Sequence, residues 1–158
     1  MNDTITTWRS LNGLTQAQAE RLAEREELLL GDGRPAEQVH EFLYGDGQRH
    51  VERNQVDRER FGHLPDPAGA TYLWHWERNE DTGRWSREVE FSSRKFGALH
   101  ISVLGTQIED GSVTYRLTVD AGGDVLTFNR KGAQALADTI AAATTELDWL
   151  NGDTQVLQ

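Results

Sequence analysis

Apolar positions divide the chain into two textures. From residue 14 to about 62 they are sparse, set among charges and spaced as on one side of a helix. From 70 to 129 they alternate with polar residues, as in a strand with one covered face. In the first half, Thr15 followed by Gln18 has the spacing of a capping box, which predicts a helix start. The run that follows carries Leu22 and Leu28 to Leu30 and ends at Gly31. A second, short helix is expected from Pro35 to Gly45, burying Val39, Phe42 and Leu43. A third, from Gln48 to Phe61, is anchored by Val51, Val56 and Phe61. The tripeptide GDG occurs at 31 and again at 45. No ladder of oxygen ligands follows either copy, so both read as helix-ending turns and not calcium loops. Ahead of these helices, TITTWRSL suggests a strand.

The second half is more strongly patterned. In GSVTYRLTVDAGGDVLTFNR, Val113, Tyr115, Leu117 and Val119 share one face. Gly122-Gly123 predicts a two-residue hairpin turn that sets Leu126 opposite Val119 and Phe128 opposite Leu117. Upstream, Asp110-Gly111 predicts another two-residue turn, pairing Ile108 with Val113. That register leaves Leu99, Ile101 and Val103 on the wrong face, so a bulge near Gly105 is expected to restore the phase. From Gly132 to Leu150, leucine, isoleucine and alanine recur at helical spacing. The expected fold is therefore α+β: short N-terminal helices, a five-stranded antiparallel meander, and a long C-terminal helix packed on the sheet. The expected segments are a helical region 1–62, a linker 63–69 (within FGHLPDPAGA), a sheet-plus-helix region 70–151 and a flexible tail 152–158, together forming one compact domain.

YLWHWERNEDTGRW, residues 72–85, holds three of the five tryptophans. A four-residue loop, Glu80 to Gly83, pairs Tyr72 with Phe91, Trp74 with Val89, Trp76 with Arg87 and Arg78 with Trp85. Only this register gathers the large apolar groups on one face. Tyr72 and Trp74 are then expected in the core. Trp76 and Trp85 are expected near the hairpin tip, each against an arginine and partly open to solvent. Trp76, Trp85, Arg78 and Arg87 thus form a candidate interaction spot.

A formal net charge of -10 opposes general nucleic-acid binding. The DNA-binding alternative needs a helix-turn-helix-like N-terminal region in which Arg49, Arg53, Arg58 and Arg60 meet phosphates, and Glu52, Asp57 and Glu59 interrupt that set. The arginine-rich basic set suggests a high-GC bacterium or its phage. With no cysteine there is no thiolate chemistry or cysteine metal site. His75-Trp76-Glu77 matches the His-x-Glu of zinc deaminases but lacks the companion cysteines. His75 and His100 on adjacent strands are a weaker candidate for a metal pair than for two surface histidines. No nucleophile, base and orienting group share an interpretable spacing, so the chain reads as a non-enzyme with no cofactor and no metal. There is no membrane-length apolar run and no signal-peptide pattern, so the expected compartment is the cytoplasm.

Residues 97 to 150, with the DG hairpin, the alternating strand and GAQALADTIAAATTELD, resemble the C-terminal part of small actinobacterial and actinophage proteins of unassigned activity. That resemblance implies origin and fold only. The order of elements also resembles the helix-grip fold of small-ligand binders, although so many alanines in the last helix favour tight packing over a cavity. The function expected is that of a non-catalytic interaction or regulatory protein with a protein partner. The alternatives are a DNA-binding regulator and a helix-grip ligand binder.

Overall fold

The computed structural model describes residues 7–123 and 129–155. It falls into two compact units, Met1–His63 and Leu64–Gln158. The first unit holds a 3-10 turn, Trp8–Ser10, and two helices, α1 (Gln16–Gly31) and α2 (Ala36–Phe61). The capping box forms as expected. Thr15 Oγ1 accepts from the Gln18 N–H, and Gln18 Oε1 accepts from the Thr15 N–H. The Gln18 side chain also exchanges hydrogen bonds with Asn54 on α2, at 3.0 and 2.7 Å. One polar residue therefore starts α1 and also fixes its register against α2. Trp8, Leu22, Val39 and Leu43 form the core between these elements.

Two expectations for this half are overturned. Within TITTWRSL the described residues form the 3-10 turn and no strand, and residues 1–6 lie outside the described set. The second and third helices are a single helix, because α2 runs straight through the GDG at 45–47. The reason is tertiary. Gly47 is buried, and a Cβ there would lie 2.6 Å from Leu11 Cδ1 and 3.6 Å from both Leu22 Cδ1 and Trp8 Cβ. The glycine thus makes a notch into which the N-terminal turn packs, and close approach outweighs its poor helix propensity. Between the glycines, Asp46 faces outward to Arg25 and Arg49. The GDG at 31 does end its helix, with Asp32 as the C-cap and Gly33 at a φ of 76°.

The second unit is a five-stranded antiparallel sheet with a helix packed on it, an α+β arrangement. Its strands are β1 (Tyr72–Leu73), β2 (Glu77–Arg78), β3 (Trp85–Phe96), β4 (Leu99–Ile108) and β5 (Val113–Asp120), followed by helix α3 (Arg130–Gln155). β1 and β2 both pair with β3, and the order continues through β4 to β5. The expected first strand is thus split in two. The strand expected to carry Leu126 and Phe128 falls at 124–128, outside the described residues. Asn129 Oδ1 accepts from the Gly132 N–H at 2.9 Å and caps α3. The helix continues to Gln155, into the stretch expected to be a tail.

Strand phase is set by a turn and a bulge other than the one expected. Gln107 pairs with Val113, one residue off the expected register, because the β4–β5 loop holds three residues, 109–111. Gly111 takes a φ of 88°, the left-handed position that closes a three-residue hairpin loop. This places Val103 against Leu117 and Ile101 against Val119 with β4 alternating cleanly, so no bulge is needed at Gly105. The bulge lies on β3 instead, between Glu90 and Ser92, and keeps both halves of that strand in phase with β4. Val89, Phe91, Ile101, Val103, Ala143 and Leu150 are buried together. Leu136, Ile140, Leu147, Tyr115 and Leu117 pack around them, so side chains occupy the space between sheet and helix. At the bulge, Glu146 of α3 accepts from Ser92 Oγ and Arg94 Nη2, both at 2.7 Å, tying helix to sheet. No described helix is long and apolar enough to cross a membrane.

Candidate interaction surfaces

The aromatic hairpin combines the expected register at its tip with a slipped one at its base. Arg78 pairs with Trp85 across the four-residue loop, in which Asn79 Oδ1 accepts from the Thr82 N–H. At the base, however, Tyr72 pairs with Glu90 and Leu73 with Val89. Three residues, Trp74 to Trp76, therefore span only Arg87 and Glu88 on β3, a one-residue bulge that exchanges the faces. Leu73 takes the side shared with Val89 and packs on the α3-side core. Tyr72 and Trp74 move to the face shared with Glu88 and Glu90, where their rings meet edge-on at 4.8 Å. Trp74 is half-buried there, not a member of the α3-side core.

Past the bulge, Trp76 regains the face of Arg87, and the expected pair forms with the guanidinium 5.0 Å from the ring centroid. The expected exposure does not. Trp76 is only 3% accessible, and the Arg87 side chain 10%. Arg87 Nε donates to Gln107 Oε1 at 2.8 Å and its Nη2 to Asp66 at 2.7 Å. Gln107, itself buried, donates to the Pro65 carbonyl. The segment at 65–66 thus holds Arg87 and Gln107 in place, which the hairpin pattern alone could not reveal. Trp85 is half-buried and tied through its backbone to Glu109. Arg78 is exposed, and its Nε donates to the Gly83 carbonyl within the loop. Of the four tip residues, then, two are part of the packed interior and two sit at its rim.

The α2 arginines are arranged differently from the helix-turn-helix expectation, since the turn at 45 is absent. All four are exposed. At about 100° per residue, Arg49, Arg53 and Arg60 fall on one face and Arg58 on the far side. Phe42, Asp46 and Val56 share the face of the first three, and the six together span an arc of roughly 80°. Phe42 is 45% and Val56 53% exposed. Arg25 of α1 stacks 4.8 Å from the Phe42 ring centroid while pairing with Asp46, so it adds a further cation to this row. Leu28, one turn along α1 from Arg25, is also exposed.

His75 and His100 do not come together. His100 pairs with Lys95 near one end of β3, whereas His75 lies in the bulge facing Arg87 and Glu88, some seven residues or roughly 23 Å along the strand. Among the described residues no group of three or more His, Asp or Glu side chains is placed to hold a metal ion.

A buried polar cluster escaped the sequence reading. The carboxylate of Glu26, 7% accessible, meets Arg9 Nη2 at 2.5 Å and His40 Nε2 at 3.2 Å. The indole N–H of Trp8 lies toward it without reaching hydrogen-bond geometry. The Arg9 hydrogen bond outweighs the cost of burial and holds the Glu26 carboxyl below its usual range. Arg9 also stacks on Trp8, with its guanidinium 4.4 Å from the ring centroid. These residues come from the 3-10 turn, α1 and α2, and no local spacing links them. No family model, curated protein or solved structure matches the chain.

Proposed function

We propose that this is a non-catalytic protein-interaction or regulatory protein, and that it meets its partner through the outer face of α2. The observation that carries this reading is the exposed row Phe42, Arg49, Arg53, Val56 and Arg60. Two large apolar side chains and three guanidinium groups lie along it, with Asp46 between Phe42 and Arg49, a mixture that suits protein contacts. The hairpin tip is less suited, since Trp76 and Arg87 are held in the interior. A ligand-binding role has little support, because packed side chains fill the sheet–helix interval where a helix-grip cavity would lie. Duplex DNA fits the same row less well than a protein does. Glu41, Glu52 and Glu59 run beside it, where groove walls would bring phosphates. The test is a photo-cross-linking residue placed at position 42 or 56, with position 77 on β2 as control, in lysate of the native host. A discrete protein adduct from 42 and 56 and none from 77 is expected. Adducts destroyed by nuclease, or equal capture from all three positions, would refute the reading.

A further inference from the structure

We draw no further inference here: the strongest candidate, the exposed face of α2 that carries Phe42, Arg49, Arg53, Val56 and Arg60, belongs to the surface already described, and nothing in the structure shows what covers it.

Discussion

Replacing Trp76 with alanine separates an interior tryptophan from an interaction residue. At 3% exposure the side chain withdraws nearly its whole surface from water. For an indole of about 200 Å², burial at about 25 cal/mol/Å² contributes roughly 5 kcal/mol, and a realistic unfolded state lowers this to about 3–4 kcal/mol. Loss of the cation–aromatic contact with Arg87 adds about 0.5–1 kcal/mol. Arg87 itself keeps Gln107 and Asp66, so no buried charge is stranded. The expected cost is about 3–5 kcal/mol. Urea titration should follow far-UV circular dichroism, because the other four tryptophans confuse fluorescence. The transition that reports the sheet unit should move to lower urea. Trp76→Phe should recover about half of the loss. A change below about 1 kcal/mol would show that Trp76 is not packed as described and would restore the hairpin tip as an interaction candidate.

Other parts of the structure give further expectations. Because Glu26 titrates below its unfolded value of about 4.5, its contribution to the helical unit is complete above that pH and disappears as pH falls through the lower, folded value. Wild-type urea midpoints should therefore fall more steeply than those of Glu26→Gln below pH of about 4.5, and parallel curves would contradict the assignment. In Gly105→Ala, the new Cβ would sit 3.0 Å from Phe91 Cε2 and 3.1 Å from Val113 Cγ1, so about 1–3 kcal/mol of destabilisation is expected by thermal melting. Truncating Arg94 to alanine removes one of the two donors to Glu146. It should cost about 1 kcal/mol and raise amide exchange in the α3 turn that holds Glu146 more than in β4.

Where a signal is local, the sequence shows it. Thr15 and Gln18 are three residues apart and cap α1 as their spacing says, and the loop at 80–83 pairs Arg78 with Trp85. The strand and helix periods yield the sheet and α3 for the same reason. The misses involve partners distant in sequence or a single inserted residue. Gly45 and Gly47 look like a helix end until Leu11 and Trp8 are known to fill the notch. The loop at 109–111 and the bulge at 74–76 each move the register by one residue, which exchanges faces without altering the hydrophobic pattern. On the candidate site, sequence reading proposed the four α2 arginines but read them on a short helix. It did not extend their face to Phe42, because that alignment exists only once α2 is continuous. The cluster of Arg9, Glu26 and His40 carries no sequence signal, since its members share no spacing.

The notch at Gly47 also bears on the order in which the helical unit assembles. Two glycines within one turn make the middle of α2 about 2 kcal/mol poorer in helix propensity than alanine would. Before Trp8 and Leu11 dock, the chain is therefore expected to favour two short helices with a hinge at 45–47, the form its local sequence describes. On that expectation, fusion into one 26-residue helix depends on the N-terminal turn and comes late. Substitutions at Gly47 or Leu11 should therefore speed unfolding more than they slow folding. Arg49, Arg53, Val56 and Arg60 already share a face on the second of those short helices, and Phe42 comes into line with them only when the two halves fuse, so the N-terminal end of the proposed surface depends on the docked turn.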